Sequence, residues 1–391
     1  MLYVTWSRRC IAVAGLLLGV TAGAQSRDMR GVARNLVQAA MVKPGDKVLV
    51  NGSLRDAGLL EDIAIEVMKA GGDPLITLSS EQLVRRSFDE VPARFDSITS
   101  PVGMLLVNDF DAQINLDVGE NEGLLAGVPM ARRVARGKAG QPIADAFYKR
   151  TVRSVNLGNG LYPTATLARR IGVPQSKLAD AFWRASAVSS TALRTKGNAL
   201  RQAFENGKLV TLTGPNGTNI SFRVDSDRAL ISDGAITGER VKKGSAAAST
   251  WLPAGELMLP AVNGSATGKI VIDRYLWDGR LIRGLTLNFE KGVLTSMTAA
   301  NDMSGLKAAY DAGGGAKDRF GYIDVGLNPE TRLPLGTGRT IWTAPGSVAI
   351  GFGDNRGFGG TNNSDFGFAA QLSSATLTVD GNAVVANGRL R

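Results

Sequence analysis

The sequence predicts an α/β domain built on a parallel sheet, followed by a β-rich α+β domain. Three observations predict it. Helical and strand signals alternate through the first half. After Gly207 the texture changes to short β segments. The composition also supports packed cores: of 391 residues, 44% are hydrophobic and 20% charged, too apolar for wholesale disorder and long enough for two domains. The 48 glycines are dispersed without a period, and no internal repeat is present.

In chain order, Met29–Met41 carries apolar residues at helical spacing. Lys43–Gly52 is a turn followed by a buried strand, and Ala57–Gly72 is an amphipathic helix closed by glycine. Pro74–Ser80 is the next strand. This β-α-β order calls for parallel pairing with crossover helices. Val102–Phe110 and Arg150–Gly158 are further strand candidates. No GxGxxG follows the first strand, which argues against a dinucleotide site. Ser176–Ser186 and Thr191–Gly207 are helices with core faces, Gly207 being the C-cap. Lys208–Val224 is a pair of strands around a Pro-Asn-Gly turn, and a helix is expected near Met303–Ala312. The domain boundary falls near Asn206, giving domains 25–206 and 207–391.

Residues 1–24 read as a secretory signal. Arg8 and Arg9 precede the apolar run Ile11–Val20, too short to span a bilayer comfortably, and Ala22–Ala24 is a small-x-small cleavage site. A membrane anchor is the competing reading. The arginine pair also fits twin-arginine export. The mature chain is expected in the periplasm, starting at Gln25, with no stable membrane anchor.

Cys10 is the only cysteine, and the chain contains no histidine. Once the signal is removed, thiol nucleophiles, Ser-His-Asp catalysis and disulfides are excluded, and zinc loses its two best ligand types. Without Arg8 and Arg9, 43 basic residues face 35 acidic ones, a net charge of +8. The basic run Ala131–Lys138 reads as a solvated face, because few aromatics interleave with its charges. Nucleic acid is not an expected partner.

Several segments together carry a resemblance. They are Tyr162–Pro174, Gly214–Phe222, Leu252–Asp273, Gly321–Leu333, Gly346–Gly360 and Thr378–Leu390. In order and spacing the chain resembles the aminopeptidase T/S family, the thermophilic-type metallo-aminopeptidases. The match is specific in the C-terminal half and one of pattern in the N-terminal half. A related fold also serves iron-dependent hydroxypyridine dioxygenases. The resemblance implies a C-terminal site with two metal ions held by glutamates, histidines and an aspartate, and it suggests a homodimer.

Carried over position by position, the implied ligand set is mostly absent. Its first glutamate falls on Glu256, but its second falls on Tyr322 and its first histidine on Ala349. In the last motif Asn362 and Ser364 fit, whereas the histidine and aspartate positions are Gly367 and Ala369. Two readings follow. In the first, no cofactor is expected and the cleft of an inactive enzyme binds a peptide or protein. In the second, the strand alternation brings Asp324, Asp365 and also Asp354 near Glu256. An all-oxygen cluster of that kind suits Mn²⁺, Mg²⁺ or Ca²⁺ and would make the protein a divergent hydrolase.

Overall fold

The computed structural model describes residues 28–119, 121–205 and 209–391. The signal segment, the boundary near Asn206 and the Gly207 cap lie outside the described residues. In chain order the helices are α1 (Met29–Ala39), α2 (Ala57–Lys69), α3 (Glu81–Glu90), α4 (Pro101–Asp109), α5 (Met130–Arg150), α6 (Ala165–Ile171), α7 (Gln175–Ser186), α8 (Ser190–Gln202), α9 (Gly238–Lys243) and α10 (Ser304–Ala312). The strands of the first half are β1 (Lys47–Gly52), β2 (Asp73–Leu78), β3 (Ala112–Leu116) and β4 (Arg153–Leu157). There follow β5 (Leu209–Thr213), β6 (Asn219–Arg223), β7 (Leu230–Ser232), β8 (Ser249–Leu252), β9 (Glu256–Pro260), β10 (Thr267–Trp277) and β11 (Arg280–Glu290). The last are β12 (Val293–Thr298), β13 (Phe320–Gly326), β14 (Val348–Gly353), β15 (Gly367–Leu372), β16 (Thr376–Val379), β17 (Asn382–Ala386) and β18 (Arg389–Leu390).

The first sheet is parallel throughout, in the order β2-β1-β3-β4-β8. Leu36 of α1 and Leu60 and Ile63 of α2 pack with Val48, Val50, Ile114 and Val155 in one apolar core. That burial follows from the helical spacing of apolar residues in α1 and α2. The fifth strand, β8, arrives from residues 249–252, far along the chain from β4.

One element differs from the sequence reading. Val102–Asp109, expected as part of a strand over Val102–Phe110, is helical, and only the cap residue Phe110 is extended. A short apolar run does not distinguish a buried strand from a helix by periodicity. Here the start decides: the Ser100 side chain accepts a hydrogen bond from the Gly103 N–H, and Pro101 occupies the first turn. The sequence reading also passed over α5, whose interior contains Gly137, Gly140 and Pro142. The basic run on α5 is more than a solvated face. Arg136 Nε and Arg132 Nη2 donate to Oδ1 of buried Asp96 at 2.7 and 3.0 Å. The two guanidiniums hold the Asp96 carboxyl down to about 2.

Among the described residues the second half forms two antiparallel sheets. One has eight strands, in the order β12-β11-β10-β6-β5-β16-β17-β18, and the other five, β15-β14-β13-β9-β7. They share one core, with Val210, Phe222, Ile272 and Leu287 from the first sheet and Leu257, Ile323, Val325 and Ile350 from the second. Among the described residues, no helix is long and apolar enough to cross a membrane.

Candidate functional site

The five-stranded sheet has two faces of different character. Residues two apart on a strand share a face. Leu257 and Leu259, Ile323 and Val325, and Val348 and Ile350 all point into the core. The alternate residues therefore point away from it. Pairing puts Ser232 opposite Glu256, and Glu256 opposite Gly326. Asp324 sits opposite Met258 on one side and Ala349 on the other, and Ala349 opposite Gln371. Tyr322 pairs with Gly351, Gly351 with Ala369, and Gly353 with Gly367. All five positions that the resemblance marks as ligands, at residues 256, 322, 349, 367 and 369, thus share the face away from the core.

Glu256, Tyr322, Asp324 and Ala349 on this face are buried, whereas Ala369 is half-buried and Gly367 exposed. Glu256 and Asp324 are both buried and are diagonal neighbours on adjacent strands. Glu256 Oε1 accepts a hydrogen bond from Asn159 Nδ2 at 2.7 Å, and the same amide reaches the Pro253 carbonyl at 3.0 Å. Neither carboxylate oxygen of Asp324 has a hydrogen-bond partner among the described residues. Burial pushes the Glu256 carboxyl up to about 7, against the downward pull of Asn159 and Ser232. Burial and then the charge of Glu256 hold Asp324 well above the usual carboxylate range. The Tyr322 ring occupies the next position on the face and stacks on Phe358, with centroids 3.8 Å apart and planes 10° apart. An aromatic pair thus occupies the face next to Asp324, on the side away from Glu256.

The structure brings together only two of the carboxylates proposed from the sequence. The Gly314 N–H donates to Asp365, and Lys138 Nζ lies 3.9 Å from that carboxylate. Asp354 pairs with Arg356 Nε at 2.8 Å. Among the described residues no group of three or more Asp, Glu, His or Cys side chains could hold a metal ion. A two-ion hydrolytic centre needs several charged or imidazole ligands and an open position for water. Two buried carboxylates flanked by an aromatic ring do not fit such a centre.

A second polar site lies alongside. In open α/β sheets ligands bind in the crevice beyond the carboxyl ends of the strands, where the strand order reverses. Here the order reverses between β1 and β3. Arg55, just after β1, donates to the carbonyl of Asp117, just after β3, at 2.9 Å. The Asp117 carboxylate in turn accepts from Asn156 Nδ2 at 2.8 Å and from the Gly160 N–H at 2.9 Å. Arg339 reaches over from the second half and donates to the Gly160 carbonyl at 3.3 Å. A cavity of about 340 Å³ opens here, with Glu122, Arg170 and Arg339 in its wall. The loop that bears Asn159, the partner of Glu256, also bears Gly160, so the two sites adjoin. Sequence reasoning missed this crevice. The only available signal was the polar Asp117–Glu122 segment beyond a parallel strand.

The solved structure of AmpT from Thermus thermophilus superposes with a TM-score of 0.68 at 17% identity, covering 93% of this chain and 98% of that one. The 2,5-dihydroxypyridine dioxygenase from Pseudomonas putida KT2440 superposes with a TM-score of 0.57 at 13% identity, covering 93% and 96%. At these identities the likeness is one of fold. No match was found among the curated proteins. The thermophilic metalloprotease (M29) family matches residues 26–323, which include Glu256 and Tyr322, and the chain belongs to that family.

Proposed function

We propose that this chain is an exported, catalytically inactive member of its family that keeps the cleft to bind a peptide or protein. The observation that carries the reading is the face of β9, β13, β14 and β15. Four of its five ligand positions hold Tyr322, Ala349, Gly367 and Ala369, and the Tyr322–Phe358 stack occupies the face next to Asp324. Water at neutral pH becomes an effective nucleophile only with a metal ion or a strong base, and the mature chain has no histidine for either task. Release of N-terminal residues from peptides by purified protein, with and without added Zn²⁺, Co²⁺ or Mn²⁺, tests the reading. The expected result is no release. Metal-stimulated release that Glu256→Gln abolishes would overturn it. The order Arg8-Arg9, apolar run, Ala-Gly-Ala supports export, and the exported protein is expected to begin at Gln25 by mass spectrometry.

A second reading has one observation in its favour. The unpartnered oxygens of Asp324 beside Glu256 suit a single hard cation such as Mn²⁺ or Mg²⁺, in a divergent hydrolase.

A further inference from the structure

The crevice beyond β3 and β4 presents charges of both signs within one small cavity. Glu122 lies in ion-pair range of two guanidiniums, in contact with Arg339 and 3.7 Å from Arg170. At 3.7 Å the Arg170 pair is not a hydrogen bond, and among the described residues Arg170 donates no other. Its side chain is 40% exposed and lines the cavity. Arg339 is more deeply set, and burial pulls its guanidinium below its usual range while Asp117 opposes that shift. The remaining wall is mixed, with Val118, Tyr162 and Leu167 as its apolar part and Asp117, Asn121 and Thr166 as its polar part. The floor is rigid. Asp117 is tied to Asn156 and Gly160, and a Cβ at Gly158, whose φ is +149°, would come 2.2 Å from the Asp117 carboxylate.

From this arrangement we infer that the crevice binds a small zwitterion of the α-amino-acid type with an apolar side chain. A ligand carboxylate takes the bidentate donors of Arg170 and shares Arg339. A ligand ammonium takes Glu122, which is then drawn off the guanidiniums. Each charge of the ligand thus replaces half of an ion pair already present, and no charge is left buried alone. Val118, Leu167 and the Tyr162 ring cover the side chain. A cavity of this size, with an apolar patch beside converging polar and charged groups, has room for a small molecule. The inference rests on the reading of the cleft as a binding surface, and it names the ligand class for its N-domain side.

The test is calorimetric titration of the mature protein with L-leucine, N-acetyl-L-leucine and L-leucinamide, which keep both charges, only the negative and only the positive. Leucine is expected to bind with one-to-one stoichiometry. Each single-charge analogue is expected to bind at least about tenfold more weakly. Arg170→Met should weaken leucine by a similar factor and Arg170→Lys by less. Because Arg170 is exposed, unfolding midpoints of these variants should match wild type. No leucine binding, equal binding of all three compounds, or unchanged binding by Arg170→Met would each overturn the inference. The outcome is separable from the peptide-hydrolysis test. Hydrolysis overturns inactivity whatever leucine does, and absent leucine binding overturns the site whatever peptides do.

Discussion

The ring of Tyr322 lies where a side chain on Gly351 would have to go. A Cβ built on Gly351 would meet Tyr322 Cε1 at 2.1 Å and Cζ at 2.3 Å. Both residues stand on the site face, directly opposite each other on β13 and β14. The glycine is therefore there for packing, since it lets the aromatic stack with Phe358 lie flat on the strand.

Gly351→Ala is accordingly expected to destabilise the protein by about 1–3 kcal/mol, the usual cost of overpacking a tight interior. Gly137, inside α5, is the control, because a Cβ added there would meet nothing within 4 Å. At that position alanine is expected to be neutral or to stabilise by about 0.5–1 kcal/mol through helix propensity. Urea midpoints of the two variants check this, and equal midpoints would contradict the packing account.

The buried acids give a pH dependence in metal-free protein. Glu256 titrates near 7 in the folded state, against 4.5 for the unperturbed group, and Asp324 is raised well above 3.8. The folded state therefore holds protons that the unfolded chain has already released. The associated stability is complete below the unfolded values and falls as pH rises, the Glu256 part being lost by about 7. That part is on the order of 3 kcal/mol. Urea midpoints in EDTA at about pH 5 and about pH 8 should show the fall in wild type and a flatter profile in Glu256→Gln. Greater wild-type stability at the higher pH would count against the buried pair.

Thermal melts separate the two functional readings. If the Glu256–Asp324 pair held Mn²⁺, binding to the folded state alone would stabilise it by about 2–3 kcal/mol at a hundredfold excess over Kd. The expected result is the same Tm in EDTA and in excess Mn²⁺. A metal-dependent rise in wild type that Glu256→Gln abolishes would favour the single-cation hydrolase.

Much of this architecture is legible in the sequence, for reasons that differ by element. α1 and α2 declare themselves by apolar periodicity, and β5 and β6 by the Pro-Asn-Gly turn between them. The neighbourhood of Glu256 and Asp324 is legible only with the resemblance, which marks the positions of Glu256 and Tyr322, and strand alternation then puts Asp324 on the Tyr322 face. The Val102–Asp109 helix reads as a strand because its apolar run has no period, and the Ser100 cap outweighs that run. α5 is hidden by its own Gly137, Gly140 and Pro142. Asp365 is drawn away from the site by the Gly314 N–H, a contact between residues about fifty apart that no local pattern encodes. The crevice is invisible for the same reason, since Glu122, Arg170 and Arg339 are neighbours only after folding.

The return of the chain to its first sheet through β8 sets an order on assembly. β4 is finished by residue 157, but its neighbour on the open side is residues 249–252, which lie beyond β5, β6 and β7. Until that stretch is available, the last edge of the parallel sheet stays unpaired, with buried positions such as Val155 beside it. Such edges are templates for wrong partners. A fragment ending at residue 205 would carry this edge permanently, so the N-terminal half is not a unit that can be excised and expected to stay monomeric. The two halves are stitched by hydrogen bonds of the sheet itself, and the cleft between them is built in the same stroke that completes the fold.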